Sequence, residues 1–443
     1  MSPYDILIGF VQELDIVDTH EHLIPFEDVW LAGKWRSRLA PGKLDVLKEY
    51  LLHYLAWDLV SAGLPLAALE TVRRSDLDVL EKWALIEPYW EFSRYTGYAR
   101  ALDAAVRGLY GVDGIRRETI GTLNEAFLSS LKPGRYARVL KHHSKIAVAL
   151  DQPYSPDGSQ DLKCDPEFFL PVYNVTELVR PESLGHLLGI EERTGIRITS
   201  FDAYLAACKG MIEWASTRGA VALKSDIAYL RPLSFERVTR SEAEDDFNVF
   251  LSSINRDTSF DFRPELLGTR GQDYLMHAIM GLANEYNMVF QFHTGLQEGA
   301  GNHIDWSDPG LLTNLFVQYP DVRFVLFHIG YPFERKLSVL AKNFRNVFID
   351  MCWAHIISAE ASVRALVEWL DALPYNKIAG FGGDYAILDA VYGHQAIARE
   401  NICRALAMKI DQGRFDTEVG KMIAVRLLRD NPIEIYHLEK RLA

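Results

Sequence analysis

The feature that most limits the fold is a rhythm. Short apolar runs rich in β-branched residues recur along the chain, each of strand length and each ending on or beside a polar residue or a glycine. Eight such runs occur, at 14–18, 145–151, 168–175, 220–224, 288–293, 323–328, 346–351 and 377–382. Their hydrophobicity is continuous rather than alternating, as in strands covered on both faces, which is how parallel sheets behave. Helical patterns separate most of them, for example at 274–286, 309–318, 334–342 and 361–370. Eight strands joined by helical crossovers predict an α/β fold, a closed (β/α)8 TIM barrel. An open doubly wound sheet is the alternative, but no glycine-rich GxGxxG turn follows the first run.

One stretch breaks the rhythm. Residues 26–143 are rich in helix formers and aromatics (Trp30, Trp35, Trp57, Trp83, Trp90 and Tyr98 among them), with few strand signals. The expected organisation is therefore a single barrel over 1–443 with a helical insertion at 26–143. That insertion leaves from the carboxyl end of the first strand, where barrel active sites sit, so it is expected to act as a lid or pocket wall. Structural decoration or an oligomer interface is the alternative. At the other end, 417–442 reads as helix packed on the barrel, with Asn431-Pro432 as a fresh N-cap and first-turn pair.

Bulk properties narrow the partners. With 443 residues and 49% hydrophobic content the chain suits one large barrel. A formal charge of −13 and the lack of a basic run exclude a phosphate-backbone partner such as nucleic acid. The N-terminal residues lack the pattern of a secretory signal, and no apolar stretch is long enough to span a bilayer. Cys164, Cys208, Cys352 and Cys403 form no CxxC pair, so neither a disulfide framework nor a thiolate zinc site is expected. The expectation is a cytoplasmic protein that meets a small-molecule substrate, not a membrane, either alone or as a homo-oligomer.

The chemistry gathers at the strand ends. Asp18-Thr19-His20-Glu21-His22 closes the first run. Alternation along a strand puts His20 and His22 on one side and Glu21 on the other. Two adjacent imidazoles can bind one borderline metal ion. HxH alone is a weak pattern, and a lone histidine is more often a satisfied core or loop residue. The later runs change that balance, because Lys224, His293, His328 and Asp384 each follow an apolar strand at the face where catalytic groups collect. Neutral imidazoles supply nitrogen, and the Asp384 carboxylate supplies an oxygen that also offsets the ion's charge.

This set resembles the amidohydrolase superfamily: HxH on strand one, Lys on strand four, His on strands five and six, Asp on strand eight. The phrases His293-Thr294-Gly295, His328-Ile329-Gly330-Tyr331-Pro332 and Gly382-Gly383-Asp384-Tyr385 resemble its amidohydrolase 2 branch. Leu223-Lys224-Ser225-Asp226-Ile227-Ala228-Tyr229-Leu230-Arg231 is similar to FluG-like, nodulin-related members, and the insertion resembles that of uronate isomerases. The likeness covers 14–25 and 145–438.

It implies that His20, His22 and Asp384 hold a first divalent ion, and that His293 joins them or binds a second ion with His328. Lys224 is implied either as a carbamylated bridge between two ions or as a cation that clamps a substrate carboxylate or phosphate. The resemblance makes Asp384 the general base and His328 a ligand or a proton donor. Tyr229 and Arg231 follow closely enough to orient an anionic substrate group, with a surface salt bridge the plainer account of Arg231. His53, Arg94 and Tyr98 of the insertion, loop 297–302, Trp353 and His355 are further candidates for the pocket wall. The donor set suits zinc first, with manganese, iron or nickel also compatible. The implied reaction is attack of metal-activated water on a C–N or C–O bond of a small substrate. Its alternatives are a metal-dependent decarboxylase, a uronate-type sugar-acid isomerase, and a non-enzymatic barrel.

Overall fold

The computed structural model describes residues 1–33, 42–153, 160–254 and 266–442. Its strands are β1 (Ile16–Glu21), β2 (Ile146–Asp151), β3 (Phe169–Asn174), β4 (Ala222–Ser225), β5 (Val289–Phe292), β6 (Phe324–Leu326), β7 (Val347–Asp350) and β8 (Ile378–Ala379). Each overlaps one predicted run. They lie in one eight-stranded sheet in chain order, with parallel ladders. The Thr19 amide donates to the Phe381 carbonyl at 3.2 Å and the Asp384 amide to the His20 carbonyl at 2.8 Å, which ties β1 to the segment after β8. The fold is a (β/α)8 barrel.

Two strand limits differ from expectation for identifiable reasons. β1 starts late because the amides of Glu13 and Leu14 donate back to Phe10 and Val11, finishing the helix Pro3–Val11. β8 is only two residues long because the Gly380 amide donates to Leu427 at 2.7 Å, so the C-terminal segment takes the bond that would extend the ladder.

The chain divides into two compact units. The first comprises Met1–Leu170, Gln297–Asn302 and Asp350–Ala443. Within it, the described part of 26–143 contains helices and turns and no strand; Trp35 lies outside the described residues. The insertion helix Gly97–Tyr110 packs on the long helix Leu388–Asp411. A Cβ at Gly393 would stand 1.7 Å from the Ala101 carbonyl oxygen, so only glycine permits this crossing. A buried polar cluster pins the same contact. Asp389 pairs with Arg135 and accepts hydrogen bonds from the hydroxyls of Tyr50 at 3.0 Å and Tyr110 at 2.6 Å. Burial and then the Asp389 charge push both tyrosine hydroxyls far above their ordinary range, so they remain donors.

The C-terminal segment is helical as expected, with one correction. Asn431 does not cap a new helix; Asp430 precedes Asn431–Ile435, and Asn431 lies inside it. Its side-chain amide donates to Tyr375 and Ile378 at 2.7 and 2.8 Å, anchoring the segment beside β8.

The second unit comprises Pro171–Leu296 and His303–Ile349. Its ladder aligns Asn174 with Lys224, Lys224 with Gln291, and Gln291 with Val325. These strands are almost wholly buried, which explains their unbroken apolar character. The helices Phe201–Thr217, Arg240–Ser253 and Thr269–Glu285 cover them through a cluster of Phe201, Tyr204, Phe247 and Tyr274. No helix among the described residues is long and apolar enough to cross a membrane.

Candidate metal centre

The end of β1 builds the first cluster, entirely within the first unit. His20 is the fifth residue of the strand and fully buried, and His22 follows the strand with its side chain 28% exposed. Their rings meet edge to face at 4.8 Å. Both point at one carboxylate: Asp384 Oδ1 lies 3.2 Å from His22 Nε2 and 3.8 Å from His20 Nε2. One ligand atom from each of the three falls within 4.8 Å of the other two. Two imidazole nitrogens and one carboxylate oxygen converging in this way fit a three-ligand divalent-ion site.

Asp384 is held from several directions. Its backbone adopts the left-handed region (φ 57°), which a residue with a Cβ seldom occupies. Its Oδ2 accepts the Tyr54 hydroxyl at 2.7 Å, and the same hydroxyl lies 2.6 Å from the Asp384 carbonyl oxygen. Tyr54 is stacked on Trp353 at 4.5 Å and on Tyr98 at 5.0 Å. His53 stacks on Tyr54 at 3.8 Å and pairs with Glu298 through a 3.4 Å contact. Burial opposes the Glu298 charge, but the attraction and hydrogen bond of His53, with His22 adding to them, keep this carboxyl below its ordinary range.

Beneath these lie three fully buried carboxyls, Asp18, Glu21 and Asp151. Burial raises all three, and the Asp18 charge raises Glu21 further, so Glu21 keeps the proton of that pair. Glu21 does not simply point away from the histidines, because β1 slips in register against β2 between Asp18 and Glu21. Such a slip re-aims side chains, and here it brings Glu21 against the backbone of Gly383 and Tyr385.

The second unit carries its own cluster. His328 Nε2 and His293 Nδ1 are 3.0 Å apart, and His293 Nε2 is 2.8 Å from the Leu296 carbonyl oxygen. A carbonyl can only accept, so His293 carries its proton on Nε2 and its Nδ1 accepts from His328. His328 and Ile329 both take left-handed backbone (φ 66° and 49°), turning the chain sharply after β6. Lys224 is buried at 3% exposure, with its ammonium 3.8 Å from the Phe327 ring centre. Tyr229 packs on His293 at 4.7 Å.

Several predicted contacts fall elsewhere. Arg231 is not a surface ion pair; its guanidinium donates to Asp273 and the Ser234 carbonyl, each at 2.7 Å, and fastens its own loop to the helix Thr269–Glu285. With those donors engaged, Arg231 is not placed to orient a substrate anion. Arg94 pairs with Glu91 on the surface. His355 turns into the core, where its Nε2 meets the Gly380 carbonyl at 2.9 Å, and burial lowers its pKa to about 4. Trp353, Tyr98, His53 and Glu298 of the 297–302 loop do surround Asp384 through the Tyr54 stack and the ion pair. The residue that sequence reasoning missed is Tyr54. Tyr54 immediately precedes the helix Leu55–Ser61, and among so many insertion aromatics nothing in its spacing marks it as facing inward.

The chain resembles known proteins in part of its sequence and in its fold. Residues 251–438 match the amidohydrolase family model of the amidohydrolase 2 type. The protein fluG of Emericella nidulans is 24% identical over 227 residues, covering 50% of this chain and 26% of fluG. The match thus spans about a quarter of the length of that relative. The glucuronate isomerase of Caulobacter crescentus superposes with a TM-score of 0.75 at 18% identity, covering 99% of this chain and 94% of that one. The uronate isomerase of Thermotoga maritima gives 0.75 at 17% identity, with 98% of each chain covered. At such identities the likeness is one of fold. The fold is the one that these barrel proteins share. Residues 251–438, somewhat under half of the chain, thus resemble the amidohydrolase 2 family.

Proposed function

We propose that this chain is a metal-dependent hydrolase, cytoplasmic in its site of action, that cleaves a C–N or C–O bond of a small substrate with water. The observation that carries the reading is the convergence of His20, His22 and Asp384, whose ligand atoms lie within 4.8 Å of one another, with His20 and Asp384 buried and His22 half-buried. These three would hold the ion, zinc being the best fit to the donor set. A divalent ion so held supplies a Lewis acid for the scissile bond and brings the pKa of water down to about 7.

The protein's own residues do the rest. Tyr54 occupies Asp384 Oδ2, so the carboxylate offers Oδ1 toward the histidines. Asp384 takes the proton from the attacking water and passes it to the leaving group. His293 and His328, now bonded to each other, either bind a second ion or donate a proton; in the first case their 3.0 Å bond must open. Lys224 would clamp a substrate anion as a cation or, carbamylated by carbon dioxide with loss of a proton, would supply anionic oxygen to bound metal. Tyr229, against His293, contacts the substrate.

A second reading is a uronate-type isomerase, favoured by the near full-length likeness to two such enzymes, which includes the stretch between β1 and β2. Incubating the metal-loaded protein with a panel of lactones, amides and esters and with open-chain uronates separates the two. Acid release from the first group supports hydrolysis. Aldose-to-ketose conversion without acid release overturns it in favour of isomerisation.

A further inference from the structure

We propose that Glu21 is a positioning residue, with Asp18 as its partner: the two carboxyls fix the 382–385 turn so that Asp384 presents Oδ1 to His20 and His22. The inference rests on the metal-centre reading above.

Its basis is the hydrogen bonding of one short turn. Three consecutive amides donate to β1: Gly383 to Asp18 Oδ1 at 3.0 Å, Asp384 to the His20 carbonyl at 2.8 Å, and Tyr385 to Glu21 Oε2 at 2.7 Å. Asp18 Oδ1 also accepts the His20 amide at 3.2 Å, so one carboxyl reads the backbone of both ligand segments. Asp384 sits between these anchors in left-handed backbone, a conformation that persists only where the surroundings over-determine it.

Space leads to the same assignment. A Cβ at Gly383 would stand 1.7 Å from Glu21 Oε1, and one at Gly382 would stand 2.6 Å from Thr19 Oγ1. The paired glycines therefore exist to let the turn close on the β1 side chains. The register slip between Asp18 and Glu21 lets residues three apart reach the same turn. Asp-Thr-His-Glu-His and Gly-Gly-Asp-Tyr are then two halves of one device: the histidines and Asp384 face the ion, and Asp18 and Glu21 set where Asp384 points. Outer partners of this kind tune metal affinity through the ligands they orient.

The test uses the full chain, stripped with chelator and titrated with cobalt(II), reading both dissociation constant and visible ligand-field spectrum, with a thermal melt of each metal-free variant. Glu21→Gln keeps an acceptor oxygen and is expected to retain the wild-type spectrum and affinity. Glu21→Ala removes the acceptor, and Glu21→Asp keeps a carboxyl but withdraws it from the Tyr385 amide. Both are expected to weaken cobalt binding by about 10–100-fold and alter the spectrum. If the alanine variant does not fold, the aspartate variant decides. Wild-type affinity and spectrum in Glu21→Asp or Glu21→Ala, whatever the melting temperature, overturn the positioning role and leave the metal centre standing. Failure of the wild type to take up cobalt, or full retention by His22→Ala, overturns the metal centre itself and this role with it.

Discussion

Breaking the buried pin between Arg135 and Asp389 should be among the costliest single changes outside the site. The two side chains are 3% and 2% exposed, so neither charge has water to fall back on. Asp389→Asn preserves shape and can still accept from the hydroxyls of Tyr50 and Tyr110, which now donate at 3.0 and 2.6 Å. What it removes is the counter-charge of Arg135, whose guanidinium is otherwise surrounded by the rings of Trp30, Tyr110 and Phe127. Stranding a buried charge of this kind costs about 3–5 kcal/mol. With Arg135→Met already in place no cation remains to strand, and the same Asp389→Asn change should cost less than about 1 kcal/mol, the scale of an ordinary hydrogen bond. Urea unfolding followed by circular dichroism and tryptophan fluorescence measures both, provided the two signals share one transition. The reasoning is refuted if Asp389→Asn costs under about 1 kcal/mol in the wild type, or the same in both backgrounds, because no coupling would then exist.

Tyr54→Phe keeps the ring stacked on Trp353 but deletes the hydroxyl bonded to Asp384. The metal-free protein should lose about 1.5–3 kcal/mol of stability, as expected for a bond to a charged group, and a melting temperature equal to wild type would count against that bond. Acid stability should carry the signature of His355, whose folded pKa is lowered to about 4 from an ordinary 6.5 by burial. The unfolded chain binds this proton first, so the histidine's contribution is intact above pH 6.5 and is lost as the pH falls toward 4, an effect of about 3 kcal/mol. His355→Gln should flatten the stability-against-pH curve across that window; an unchanged slope would mean the residue is not held neutral.

Much of the barrel was readable because both faces of its strands are buried, which leaves long apolar runs with abrupt polar ends. The same logic exposed His20, His22, Lys224, His293, His328 and Asp384, since each follows such a run. Less could be read where the cause is a long-range partner. Arg231 binds Asp273 and His53 meets Glu298, and neither spacing leaves a periodic trace. Tyr54 was hidden for a different reason: one inward aromatic among many carries no distinguishing neighbour in sequence. The reach of Glu21 depends on a register slip in β1, and strict alternation, the rule available from sequence, sends it the wrong way.

The account turns on whether His20, His22 and Asp384 hold an ion. Elemental analysis of the full chain, purified without chelator, beside His22→Ala, answers this most directly. At least one divalent ion per chain in the wild type and its loss in the variant are predicted, with two ions per chain and an added carboxyl mass on Lys224 marking the binuclear form. A wild-type chain without divalent metal, or a His22→Ala chain that keeps a full complement, would contradict the central claim.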